Sequence, residues 1–390
     1  MRASLAVTLI LLCCERCLGR SSLRQKFVSE KLRSAGSPGM ASQPNTIENG
    51  CSLSMKLKGM NANLLNNLTQ ENYAKTWNIA LLVGWFFLWY LFSASYNVAN
   101  KLLLDELPQH AWTITTIQLI IGIPLFAPVW FYSQKRPNVE PKLWIKKYWK
   151  IAALHGLGNY FTTLSTGSGP SGIGITQTLK ASEPVFVVVL SKLLFGITAS
   201  NNVTLACILI CVGVGIASYN DSSFTLFGFI VAMASNLCYS LRAVLAKNEM
   251  IDSNSMSPTN FFRILTLLAS FEFLPFALFE ISSFMNAWNK STASGVSTQA
   301  LLASFLCSGV SYYLYNMFAF LILDQVSVTS QAIGNALKRV IIILASVIFF
   351  QTPLTKNTII GVTIAIGSTC WYSTIVLNSK GNTSSKEIEK

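Results

Sequence analysis

Charge is scarce in this chain. Only 12% of its 390 residues are Asp, Glu, Lys or Arg, whereas 52% are hydrophobic. Soluble domains are usually about a quarter charged, so a soluble enzyme or binding module is excluded and a polytopic membrane protein fits. Acids are scarcer still, 16 against 29 Lys plus Arg, for a net charge of +13. In a soluble protein that excess would suggest nucleic acid. Here the basic residues gather in the leader, in one loop and in a few apolar runs, so nucleic acid is rejected as a partner. Histidine is limited to His110 and His155, and outside the leader, where Cys14 and Cys17 stand in CxxC spacing, the cysteines form no CxxC or Cys/His spacing. No metal site is expected, and Cys207, Cys211, Cys238, Cys307 and Cys370 read as small hydrophobes in apolar runs. With no Ser/His/Asp set and no carboxylate pair, neither an enzyme nor a cofactor is expected.

Residues 1–39 read as a two-part presequence. "MRASLAVTLILLCCERCLG" has the basic start, short apolar core and small residues of a secretory signal. "RSSLRQKFVSEKLRSAGSPG" has the Ser-rich, basic, acid-poor composition of a transit peptide. Together they predict a secondary, apicoplast-like plastid reached through the secretory pathway; the alternative is a plain signal followed by a basic tail. Residues 40–75 read as a polar linker, and 379–390 as a polar tail.

Ten apolar segments follow, at about 78–99, 112–132, 149–164, 173–195, 203–217, 226–247, 259–279, 300–323, 327–350 and 358–377. Several reach the ~20 residues a bilayer needs. A helix satisfies its own backbone in lipid, so the expected fold is all-α with ten transmembrane helices. Between spans two and three, Lys135, Arg136, Lys142, Lys146, Lys147 and Lys150 face only Glu140. This basic loop should lie on the same side as both termini. "GITQTLKASEPVFVVVLSKLLFGITAS" in span four is echoed by "IGNALKRVIIILASVIFFQTPLT" in span nine. Five spans repeated reverse their orientation, so two inverted five-helix repeats are expected, 76–220 and 221–378, with a site at their interface.

An ionisable side chain deep in a span costs at least ~2.5 kcal/mol and usually faces a cavity, a partner or a substrate. Helical spacing places Thr176, Gln177 and Glu183 on the face of Lys180 in span four. Pro184 cannot donate to the Lys180 carbonyl, so the helix is weakened there. Span nine repeats the stripe with Gln331, Gly334, Asn335 and Lys338, with Arg339 one step around. Span six adds Ser235, Tyr239 and Arg242, and span eight Ser308, Tyr312 and Tyr315. Lys101, Lys192 and Lys247, near span ends, are expected to snorkel to the surface. For Lys180, Lys338, Arg339 and Arg242, Glu183 is the one nearby acid, and it cannot neutralise four cations. An anionic ligand is the simplest missing partner. A phosphate monoester carries about −1.5 to −2 charges, and suits a point charge beside a planar fork. The run "STGSGPSGIG" (165–174) lacks the phosphate-loop pattern and reads as a tight connection between spans three and four.

These residues carry a resemblance. "YNVANKLLL", "IQLIIG", "TLKASEPVF", "SLRAVLAK", "YYLYNMFAF" and above all "GNALKRVIIILASVIFFQTPLT" resemble the plastid triose-phosphate/phosphate translocators of the drug/metabolite transporter superfamily. The resemblance implies a ten-helix fold of two inverted halves. It also implies strict exchange of inorganic phosphate for phosphorylated C3 compounds: triose phosphate, 3-phosphoglycerate or phosphoenolpyruvate. By the same resemblance Lys180, Lys338 and Arg339 hold the phosphate, while Arg242 and Tyr315 serve the rest of the substrate. Span three departs from the family pattern. Where members carry a histidine, it offers Asn159, Thr162 and Thr163, of which Thr162 and Thr163 are candidate contacts. Met317 and Tyr313 stand where Gln and His are frequent, and "LFGITAS" lacks an acid common after span four. Two rival readings remain at this point: a nucleotide-sugar transporter of the ER or Golgi, and a non-transporting membrane receptor or scaffold.

Overall fold

Where lipid replaces water as the solvent, backbone groups must pair within their own segment, and the chain obeys this rule. A computed structural model of the protein describes residues 80–132, 141–169, 172–219, 224–252, 257–326, 328–351 and 355–388. The presequence, the 40–75 linker, the centre of the basic loop and the Lys247 side chain lie outside the described residues. Among the described residues all regular structure is helical, with no strand. In chain order the helices are α1 (Ala80–Glu106), α2 (Ala111–Tyr132), α3 (Pro141–Gly167), α4 (Gly172–Lys180) and α5 (Glu183–Phe195). There follow α6 (Asn201–Ser218), α7 (Leu226–Asp252), α8 (Pro258–Ala293), α9 (Thr298–Gln325), α10 (Val328–Phe350) and α11 (Lys356–Ile388).

Helix starts follow capping chemistry. Ser200, Ser257 and Ser297 sit in extended conformation and accept from the backbone N–H groups of Val203, Asn260 and Gln299. Seven helices, α1, α2, α6, α7, α8, α9 and α11, are long and apolar enough to cross a membrane. The chain is a polytopic helical membrane protein. The remainder, α3, α4, α5 and α10, include the carriers of Thr162, Lys180, Lys338 and Arg339.

The segment expected to form span four is two helices, α4 and α5. After Lys180 the amides of Ala181 and Ser182 bond back three residues, to Thr178 and Leu179. The chain re-enters helix at Glu183 with Pro184 in the first turn. Proline lacks the N–H that would continue α4 but is accommodated at the start of α5. Helix α7 braces the interruption. Asn236 Nδ2 donates to the Leu179 carbonyl (3.0 Å) and to Ser182 Oγ (3.1 Å), and Ser240 Oγ donates to the Glu183 carbonyl (3.3 Å).

Polarity is distributed inside-out. Asn97, Asn100, Gln118, Asn159, Thr162, Gln177 and Asn236 are buried, whereas Phe131, Leu193, Leu226, Phe279 and Ile348 are exposed. Lipid is as good a solvent as a protein core for those exposed chains, so packing must come from close backbone approach and polar contacts. The α6–α11 pair is the clearest case. A methyl added at Gly213 would stand 2.5 Å from the Ala365 nitrogen, and one at Gly361 would stand 2.3 Å from the Ala217 nitrogen. The matching stretches "GVGIA" and "GVTIA" put a small residue every fourth position on the facing sides. Elsewhere Tyr96, Leu119, Tyr148, Phe261, Leu265, Phe273 and Tyr312 form a buried cluster joining α1, α2, α3, α8 and α9.

Candidate functional site

Lys180 ends α4 and is 8% exposed. Its Nζ donates to Thr162 Oγ1 and to Ser235 Oγ, each at 2.9 Å. Both hydroxyls also lie within hydrogen-bond reach of the Gly158 carbonyl, at 2.7 and 2.8 Å. A hydroxyl that spends its hydrogen on a carbonyl turns a lone pair to the ammonium. The cation also lies 4.4 Å from the Tyr239 ring centroid. Arg242 Cζ approaches the same ring at 5.0 Å, as expected of residues one turn apart on α7, so one aromatic ring serves two cations.

Lys338 is held differently. Its Nζ stands 5.1 Å from the Trp89 ring and 5.4 Å from the Tyr315 ring. Among the described residues no carboxylate pairs with it. Gly334, one turn earlier on α10, makes room for α1: a methyl there would stand 2.6 Å from Phe86 and 3.1 Å from Trp89. Arg339, 7% exposed, makes the charged contact its neighbour lacks, with Nη2 2.9 Å from Glu183 Oε2.

The chain of contacts runs on through α3. Arg242 Nη1 and His155 Nδ1 are 2.8 Å apart, and His155 Nε2 lies 3.0 Å from Tyr312 Oη. Tyr96 Oη donates to Asn159 Oδ1 at 2.9 Å. The Tyr96 ring packs against Tyr312 and Tyr315, both at 5.4 Å. Gln177 Nε2 donates to Asn97 Oδ1 at 2.9 Å, tying α4 to α1. Five of the seven expected side chains thus share a continuous network: Thr162 touches Lys180, Tyr239 joins Lys180 to Arg242, and Tyr312 links His155 to Tyr315 and so to Lys338, while Arg339 pairs with Glu183. Thr163, fully buried, lies one step around α3 from Thr162 and is not one of the two hydroxyls that meet the Lys180 ammonium.

Some expectations change. Lys101 does not snorkel: it is 4% exposed, paired with Asp105 at 2.7 Å, and donates to the Gly169 carbonyl at 2.9 Å. An acid one turn away and a loop carbonyl hold it more firmly than solvent would. Lys192 is exposed. Glu183, expected on the face of Lys180, makes its ion pair with Arg339 of α10.

Three residues escaped the sequence reading as site members: His155, Trp89 and Tyr96. Helical spacing carried the signal. His155, Asn159 and Thr162 fall at i, i+4 and i+7 on α3, and Trp89, Ser93, Tyr96 and Asn100 continue one stripe along α1.

The arrangement gathers four cations and one carboxylate in a protein interior, which is chemistry for binding an anion. The profile of the Triose-phosphate Transporter family matches residues 80–373. This chain belongs to that family. It is 33% identical over 297 residues, 75% of this chain and 76% of the relative, to phosphoenolpyruvate/phosphate translocator 2, chloroplastic, from Arabidopsis thaliana. Over 294 residues, 74% of this chain and 71% of the relative, it is 35% identical to the triose phosphate/phosphate translocator of non-green plastids from Brassica oleracea. A glucose-6-phosphate/phosphate translocator from Arabidopsis thaliana is 28% identical over 306 residues, 78% of this chain and 77% of the relative. The family match spans every helix that contributes to the network and stops short of the leader, whose plastid-targeting reading is carried by sequence composition alone.

Proposed function

We propose that this protein is an antiporter that exchanges inorganic phosphate for phosphorylated C3 compounds across a plastid membrane. Triose phosphate, 3-phosphoglycerate and phosphoenolpyruvate are the substrate class. The observation that carries the reading is the excess of cations over acids in the site: Lys180 and Arg339, both buried, and Lys338 and Arg242, both partly buried, against Glu183 alone among the described residues. Lys180, Lys338 and Arg339 bind the phosphate group, while Arg242, Tyr315, Thr162 and Thr163 face the remainder of the substrate. The fold reads as ten spans in two inverted five-helix halves, with α4 and α5 together forming span four. The paired small-residue seam of α6 and α11, the fifth span of each half, supports that reading. The presequence supports a secondary plastid reached through the secretory pathway.

The mechanism follows from the cost of burying charge. Closing an empty site strips water from cations that lack counter-charges. Burying even one unpaired ion effectively costs several kcal/mol, enough to slow the return of the unloaded carrier by orders of magnitude. A bound phosphate supplies the missing negative charge, so loaded carriers reorient and empty ones wait. Obligatory exchange results without an external energy source.

Proteoliposomes holding the purified protein provide the test. Labelled phosphate should enter vesicles preloaded with phosphate or a phosphorylated C3 compound, and should not enter empty ones. Substantial uptake into empty vesicles would count against the mechanism. UDP-sugars competing as well as phosphoenolpyruvate would favour a nucleotide-sugar carrier.

A further inference from the structure

His155 is fully buried, on α3, with two polar partners of different kinds. One is a guanidinium, which has five N–H donors and no acceptor. At 2.8 Å from Arg242 Nη1, His155 Nδ1 must therefore offer its lone pair. A neutral ring then carries its single proton on Nε2 and donates it to Tyr312 Oη, 3.0 Å away. The direction of the whole chain is thereby set: Arg242 donates to His155, and His155 donates to Tyr312. The Tyr312 hydroxyl keeps its own hydrogen, and no described residue is seen to accept it. Phe262 stands edge-on to the imidazole at 5.9 Å and leaves the ring little freedom to turn.

We infer that His155 is a positioning residue that acts as a neutral acceptor, orienting Arg242 and Tyr312 for the non-phosphate end of the substrate. The inference rests on the exchange reading above, and goes beyond it by naming what fixes the specificity end of the site. Hydrogen-bond donors are left over at both ends of the Arg242–His155–Tyr312 chain. A second oxygen-bearing group, such as a carboxylate, is the acceptor those donors suit. Inorganic phosphate, having no such group, should depend little on His155. The two lysines and Arg339, assigned to the phosphate, are held by contacts of their own, to Thr162, Trp89 and Glu183, that do not pass through the imidazole.

The test compares His155→Leu with His155→Asn in phosphate-loaded proteoliposomes. Leucine removes both bonds, while the asparagine oxygen can still accept from Arg242. His155→Leu is expected to raise the KM for external phosphoenolpyruvate about tenfold while the KM for phosphate changes no more than about twofold. His155→Asn is expected to recover much of the difference. Equal loss for both substrates in a variant that melts like the wild type would overturn the inference, as would no recovery by asparagine. A second measurement does not depend on transport. The chain has two histidines, so 15N-histidine NMR of the full protein, assigned with His110→Gln, reads the protonation of His155 directly. A bare Nδ1 and a protonated Nε2 are expected. A proton on Nδ1, or an imidazolium at neutral pH, would overturn the inference. Absence of phosphate exchange in the wild type would fall on the exchange reading, and the NMR result would still decide for or against the neutral acceptor.

Discussion

Lys180 and Lys338 occupy matching places in two similar stretches of sequence, yet the structure holds them in unlike ways. Lys180 closes a short helix and donates to two hydroxyls, Thr162 and Ser235, at 2.9 Å each. Lys338 lies within a continuous α10 and faces two rings, Trp89 at 5.1 Å and Tyr315 at 5.4 Å. Hydroxyl lone pairs are directional, so Lys180 is pinned. A ring face attracts a cation over a broad area, so Lys338 is confined without being pinned. The lesson is that one site can combine a fixed cation with an adjustable one. A carrier that must grip phosphate from either side has use for both.

The comparison breaks most severely when either cation is removed. Lys180→Ala and Lys338→Ala are each expected to lower phosphate counter-exchange by about 100-fold or more, because a desolvated charge-assisted contact is lost. Initial rates in proteoliposomes check this, and near wild-type exchange in both variants would refute the proposed site. Removing Glu183 comes next. Glu183→Gln leaves Arg339 buried without its carboxylate, a cost of ~3–5 kcal/mol. Its melting temperature should fall in phosphate-free buffer and be largely restored by added phosphate, in a thermal shift series.

A charge-preserving exchange sharpens the contrast. Lys338→Arg should keep a substantial fraction of activity, since a guanidinium stacks well on Trp and Tyr faces. Lys180→Arg should keep much less, since a planar fork does not fit two hydroxyls placed for an ammonium. Equal activities would show that the two environments do not differ in function. The smallest effects belong to single supports. Ser235→Ala and Trp89→Leu should each raise the phosphate KM by about three- to tenfold, one hydrogen bond or one cation–π contact apiece.

Much of this was legible before any coordinates. Apolar runs gave the helices, and the expense of Lys180, Lys338, Arg339 and Arg242 in those runs pointed to the site. Pro184 marked the place where α4 gives way to α5. What stayed hidden depended on rotation about helix axes and on partners remote in sequence. His155 was read only as one of too few histidines for a metal, and its pairing with Arg242 spans 87 residues. Trp89 looked like any aromatic in an apolar run until α10 came alongside at Gly334. Lys101 looked like a span-end residue free to reach water, and a loop carbonyl at Gly169 proved closer.

The interruption at Ala181 and Ser182 has a further electrical effect. An unbroken helix keeps its two poles at its ends, where water can meet them. Dividing it creates a carboxyl-end pole and an amino-end pole back to back inside the protein. The negative pole of α4 falls at Lys180 and the positive pole of α5 at Glu183, and each favours the side chain it meets. One missing turn therefore supplies opposite fields a few residues apart, where a side chain of either sign would otherwise find no support from the backbone.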